Sequence, residues 1–134
     1  MPSLDVALIE FHDAVVAQVL LTPGSAAIRF AHLAVYEQTA VVAYDVVSFQ
    51  AELLVRECSM VKFEGTWDSE TVVLSAAADG VDLARQAASL LKGLDLRELE
   101  LEFNSGGVRI QCRHAQLVLG TRGDVVDTWM GPLG

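Results

Sequence analysis

The amino-acid sequence predicts a mainly β, α+β domain: an antiparallel β-sandwich or partly closed, curved sheet of about eight strands, with one helix near residues 81–92. Three observations lead there. Runs rich in β-branched residues alternate apolar with polar side chains at a period of two, which places one set on each face of an extended strand. Residues that favour chain reversal punctuate those runs at His12-Asp13, Thr22-Pro23-Gly24-Ser25, Asp79-Gly80, Asn104-Ser105-Gly106-Gly107 and Gly120-Thr121-Arg122-Gly123. Only the stretch from Val81 to Lys92 has a helical period.

The first hairpin turns at Pro23-Gly24. Val15, Ala17, Val19 and Leu21 share one face of its first arm, and Ala26, Ile28, Phe30, His32 and Ala34 share one face of the second, with Gln18 opposite Arg29. Pro-Gly favours a type II turn, which suits a two-residue hairpin poorly, so a longer loop stays open. From Val46 to Val61 runs a long strand with Val47, Phe49, Ala51, Leu53 and Val55 on one side, and Thr71 to Ala76 reads as another. In the helix, Val81, Leu83, Ala84, Ala87, Ala88, Leu90 and Leu91 form an apolar stripe. Asp82, Arg85, Gln86 and Ser89 oppose it, Asp79 or Asp82 caps its start, and Gly93 stops it.

The last well-defined unit is a hairpin around Ser105-Gly106. Leu99, Leu101 and Phe103 alternate with Glu98, Glu100 and Glu102, and Val108, Ile110 and Cys112 alternate with Arg109, Gln111 and Arg113. Placing Asn104 opposite Gly107 pairs Glu102 with Arg109 and Glu98 with Arg113, a charge ladder that neutralises the acidic stripe. The apolar parity then shifts to Ala115, Leu117 and Leu119, which a bulge or bend near His114 explains.

At 134 residues, 52% apolar and 20% charged, the chain is sized for one globular domain, residues 1–134. Charged residues interrupt every apolar run well short of the roughly 20 residues of a membrane helix. The N-terminus lacks the positive region of a secretory signal, so a cytoplasmic location is expected. Cys58 and Cys112 match no metal spacing and read as reduced, buried residues. A formal charge of −9 argues against nucleic acid and anionic membranes as partners and favours a basic protein.

No motif fixes a reaction. His12, His32 and His114 form no close-spaced ligand pair, and there is no Cys-x-x-Cys, so no metal or cofactor is expected. The first hairpin sets Asp13 opposite Ala34 and diagonal to His32, a pair that would orient the imidazole as a general base, with His12 and Tyr36 as accessory candidates. The competing reading makes His12-Asp13 a turn cap and His32 a packed residue. Tyr36-Glu37, Trp67-Asp68 and Trp129 are further polar-aromatic candidates, although aromatics in a small β-protein usually plug the core. Ser25 lies in a turn without a nucleophile motif, and the glycine-rich Asn104–Gly107 loop joins two strands rather than opening a helix.

Phe11-His12-Asp13-Ala14, Phe30-x-His32-x-x-Val35-Tyr36, and the order of strand, Asp79-Gly80, helix and Gly-Gly hairpin resemble small uncharacterised bacterial β-rich proteins. These carry a Phe-His-Asp-Ser/Ala element, and some of that look are immunity proteins that neutralise toxins of bacterial competition. The resemblance implies a binding role and no catalytic residue. The expected function is therefore that of a non-enzymatic protein acting through a basic protein partner, an immunity-type inhibitor among the options. The alternatives are a small enzyme or ligand-binding β-fold using Asp13 and His32, and a homodimer formed through a strand edge or the helix.

Overall fold

The computed structural model describes residues 6–66 and 70–133. They form ten strands: β1 (Val6–Thr22), β2 (Ser25–Ala40), β3 (Ala43–Arg56), β4 (Met60–Gly65), β5 (Val73–Ala78), β6 (Val81–Asp82), β7 (Leu94–Asp95), β8 (Glu98–Phe103), β9 (Gly106–Gln111) and β10 (His114–Met130). A 3-10 turn, Leu83–Gln86, and a short helix α1, Ala87–Lys92, lie between β6 and β7. The strands build two antiparallel five-stranded sheets, ordered β1-β2-β3-β10-β7 and β4-β9-β8-β5-β6, which do not close into a barrel. One apolar cluster fills the space between them, drawing Phe30, Leu33, Phe49 and Leu53 from the first sheet and Leu99, Leu101, Phe103 and Ile110 from the second.

The two sheets are joined at two seams. At one, β3 passes into β4 and β9 into β10, so the run expected as a single strand from Val46 to Val61 breaks at Glu57–Ser59. The parity shift near His114 has the same origin: of the two options, bulge or bend, it is the bend, a strand break at Cys112–Arg113 where the chain changes sheets. At the other seam Val15 bridges Val72, and the Val16 N–H donates to the Thr71 carbonyl at 3.1 Å.

The Pro23-Gly24 turn is tight: Thr22 faces Ser25, and Gln18 faces Arg29 as the alternation implies. In the 98–113 hairpin the register differs from expectation by two residues. Phe103 faces Gly106 across a turn at Asn104–Ser105, so Leu101 meets Val108 and Leu99 meets Ile110. Two long-range constraints set this register. Asn104 is held in the turn by bonds from its side chain to the Val72 N–H (3.1 Å) and the Glu70 carbonyl (3.2 Å). Gly106 lies against β4, where a Cβ would stand 2.0 Å from the Glu64 carbonyl oxygen. Arg109 consequently bridges Glu98 (3.6 Å) and Glu100 (3.4 Å), Glu102 accepts a bond from Ser75 (3.2 Å), and Arg113 lies outside the ladder.

The helical segment is shorter than its apolar stripe. Val81 and Asp82 are taken up as an edge strand against Ala77 and Ala78, and Val81 is exposed. The Asp82 carboxylate then caps the 3-10 turn by accepting the Ala84 N–H at 3.0 Å, while Asp79 instead accepts the N–H groups of Arg97 and Glu98, both at 2.9 Å. Gly93, at φ 113°, ends α1 in a conformation that favours glycine. Leu83 and Leu90 are fully buried, and the segment packs against β1 and β10. Leu90→Ala should therefore lower the unfolding free energy by about 2–5 kcal/mol. Leu21→Ala, at a half-exposed hairpin end, should cost under about 1 kcal/mol; urea denaturation of both variants checks the contrast.

Candidate functional site

The residues singled out in the sequence fall on the outer face and rim of the first sheet, and they do not converge. β1 kinks between Glu10, which faces Ala34, and Val15, which faces His32, with Asp13 at φ 65° inside the kink. Asp13 therefore does not face Ala34. Its carboxylate lies 3.5 Å from His12 Nε2, and His12 Nδ1 donates to the Leu74 carbonyl at 3.0 Å, since a carbonyl can only accept. His32 is redirected as well. A bulge in β2 between Phe30 and Leu33 turns it away from the core, and its Nδ1 bonds the Ser48 hydroxyl. The expected Asp13–His32 pair is thus replaced by two separate contacts, His12–Asp13 and His32–Ser48.

Tyr36 is the sequence candidate with the best-defined environment. It shares a cross-sheet row with Leu8, Val46 and Asp127, and its hydroxyl donates to Glu10 Oε2 at 3.0 Å. Partial burial, the bond to Glu10 and the charges of Glu10 and Asp127 all push the phenol above its usual value of 10.0. A phenol so placed stays neutral and donates one oriented hydrogen bond; it is a poor acid or nucleophile. Above pH 10 an unfolded Tyr36 ionises before the folded one, so stability should fall as pH rises from there through the raised value. Tyr36→Phe should remove that part of the alkaline loss, and Glu10→Gln should bring the phenol's absorbance titration to lower pH.

Glu37 extends the inward-facing series of Leu33 and Val35 beyond the core. Its Oε1 accepts a bond from Arg122 at 2.8 Å, while Oε2 is buried without a hydrogen-bond partner. The bond to Glu37, then its charge, raises the Arg122 pKa. Removing the guanidinium strands a carboxylate whose side chain is only 13% exposed. Arg122→Ala should lower the midpoint of chemical denaturation, and adding Glu37→Gln should recover most of the loss.

The remaining candidates have structural partners. Ser25 Oγ bonds Thr22 Oγ1 at 2.6 Å and closes the turn, His114 meets Asp95 at 3.2 Å, and the Asn104–Gly107 loop binds the segment before β5. Trp67 and Asp68 lie outside the described residues. Among the described residues no cluster of three His, Cys, Asp or Glu side chains is arranged to hold a metal.

The sequence singles out Trp129 and the carboxylates Glu37, Asp45, Asp124 and Asp127, but not the strand end that carries them, the far end of the first sheet. Gly120–Gly123, expected as a turn, lies inside β10, whose register against β3 shifts between Leu119 and Arg122, Arg122 and Val125, and Val125 and Asp127. Glycine permits the first two shifts: a Cβ at Gly120 would stand 3.0 Å from the Gln50 carbonyl oxygen, and one at Gly123 would stand 2.8 Å from that of Ser48. β10 thereby continues beside β3 to the end of the sheet. Trp129 faces Tyr44, Met130 faces Ala43, and the Gly131 N–H donates to the Val42 carbonyl at 2.7 Å. Val41, Val42, Val125, Val126, Trp129 and Met130 are all exposed at this tip, Met130 by 75% and Val41 by 85%. The same stretches of strand carry exposed Asp124 and Asp127 and partly buried Asp45 and Glu37, and Arg122 pairs with Glu37. The available signal was the non-alternating pairs Val41-Val42, Val125-Val126 and Trp129-Met130, which a two-sided strand pattern cannot bury.

No helix among the described residues is long and apolar enough to cross a membrane. Comparisons with protein-family models, with curated proteins and with solved structures returned no match.

Proposed function

We propose that this chain is a non-enzymatic, cytoplasmic protein-binding module that docks a basic partner through the tip of its long sheet, an immunity-type inhibitor being the specific form. The observation that carries the reading is the union at one tip of six exposed large apolar side chains with carboxylates on the same stretches of strand. Exposed apolar side chains on both faces of one sheet end, beside polar groups, are features that protein interfaces present before binding. The charge of −9 adds long-range attraction for a basic protein, which raises association rates and suppresses acidic competitors. The separation of Asp13 from His32 and the neutral Tyr36 phenol give no support to the enzymatic alternative.

Affinity capture at low and high salt, with wild type, Trp129→Ala and the pair Asp124→Lys/Asp127→Lys, tests the reading. A basic protein retained by wild type at low salt should be released by high salt. Its affinity should fall at least tenfold with Trp129→Ala, the loss of about 1.4 kcal/mol or more expected for an interface anchor, and the charge-reversed pair should slow its association. A retained protein indifferent to both variants would sink the proposal. A dimer mass by light scattering that Trp129→Ala returns to the monomer mass would replace it with the homodimer.

A further inference from the structure

The second sequence feature left unused is the cysteine pair, 54 positions apart in the chain and brought together by the crossing between sheets. The segments 56–60 and 111–114 run antiparallel through that crossing, with Arg56 opposite His114 and Met60 opposite Gln111. Counting inward from Arg56 and His114 puts Cys58 across from Cys112, whereas counting from Met60 and Gln111 puts Ser59 there, so one extra residue lies on the 56–60 side of the crossing. Four backbone bonds fix the kind of pair. The Ser59 N–H donates to the Gln111 carbonyl at 2.8 Å, and the Arg113 N–H donates to the Arg56 carbonyl at 3.2 Å, skipping Glu57, which sits at φ 55°. The N–H groups of the two cysteines point away from each other, Cys58 to the Gly24 carbonyl at 2.9 Å and Cys112 to the Arg97 carbonyl at 3.1 Å.

That is a bulge set between two widely spaced ladder bonds, with Glu57 and Cys58 together opposite Cys112, so the two cysteines are cross-strand neighbours. A disulfide spans Cα separations of about 4.4–6.8 Å. Cys112 is buried with 5% exposure, and Cys58, half-buried, packs against the same core. Both residues are free thiols, donating weakly to the carbonyls of Val55 and Ile110.

We propose that Cys58 and Cys112 form a site of reversible covalent modification, closing to an intramolecular disulfide by exchange with a small disulfide such as oxidised glutathione. The Cys58 thiolate, the more accessible, attacks one sulfur of the small disulfide and expels the other half as a thiolate. The Cys112 thiolate then attacks Cys58 Sγ and expels the second half. Two protein thiols become one disulfide, the small disulfide takes up the two electrons, and the two released thiolates take up the two protons. The closed bond ties the paths β3 to β4 and β9 to β10 at the seam between the sheets. Burial raises the Cys58 pKa, and burial followed by the charges of Cys58 and Asp79 pushes Cys112 up to about 11, so exchange is fastest at alkaline pH. The inference is independent of the binding role proposed above.

The full chain, incubated in mildly alkaline glutathione buffers from fully reduced to fully oxidised, provides the test by intact mass, peptide mapping and thermal unfolding. Oxidised protein should lose two hydrogen atoms and yield one linked peptide pair joining Cys58 to Cys112. Its unfolding midpoint should stand roughly 10 °C above that of the reduced form, because the cross-link closes a long loop without distorting the native ladder. Cys58→Ser and Cys112→Ala should each abolish the linked peptide. Unchanged mass, a glutathione adduct that persists on Cys58, or an intermolecular disulfide in place of the linked pair would overturn the proposal. So would closure with no rise in midpoint, since the native fold would then not hold the pair in disulfide register.

Discussion

The fold depends on two adjacent stretches of chain staying hydrogen-bonded to each other as they leave one sheet for the other. β3 pairs with β10, β4 pairs with β9, and the bonds at Arg56, Ser59, Gln111 and Arg113 carry the ladder through the gap. The sandwich is thus one long two-stranded ribbon bent over on itself, with further strands added to each half. Bending is what makes burial possible: Val55 and Ala115 on one side of the crease face the same interior as Ile110 and Cys112 on the other. Left flat, a ribbon of this composition would expose one entire apolar face. The crease is bought with a single irregularity, Glu57 in the left-handed region, where any side chain but glycine is strained.

The opposite margin is held by less regular means. β1 kinks at Asp13 so that it can leave β2 and meet the segment before β5, and the His12 imidazole reaches across to the Leu74 carbonyl at the same place. Leu83 and Leu90 are inserted from the helical segment where it packs on β1 and β10. Short-range helix propensity contributes little here, because six residues of helix are too few to be stable alone. The segment is helical because the core holds its two leucines.

This division explains what could be read from the chain. Alternation correctly assigned Leu99, Leu101, Phe103, Val108 and Ile110 to the core, because the faces of a hairpin are a local property. The register of the same hairpin was not local: Asn104 is positioned by Glu70 and Val72, and Gly106 by Glu64. His32 shows the limit most clearly, since strict alternation puts it with Ile28 and Phe30, and one extra residue in β2 opposite Gln50 reverses its direction. Tyr36 was identifiable as a polar aromatic, but its partner Glu10 depends on the register across that same irregular hairpin. The tip was illegible for a related reason. Gly120 and Gly123 carry a turn signature, and only their close approach to Gln50 and Ser48 shows them serving as bulges in a continuing strand.

Those bulges also constrain how the tip can bind. Beyond Ala115, where β7 ends its pairing, the outer edge of β10 has no strand beside it among the described residues. Such a long edge would invite strand addition if it were flat. Three register shifts between Leu119 and Asp127 twist it instead, and Asp124 and Asp127 place charge along it, both known defences of an edge strand. The bare backbone is therefore the poorer docking feature, and under the proposed binding role recognition would fall to side chains such as Trp129 and Met130, paired with Tyr44 and Ala43. A partner of the kind proposed would read shape and charge at the sheet's end, and the same irregularity that lets β10 reach so far would disfavour a second β-strand there.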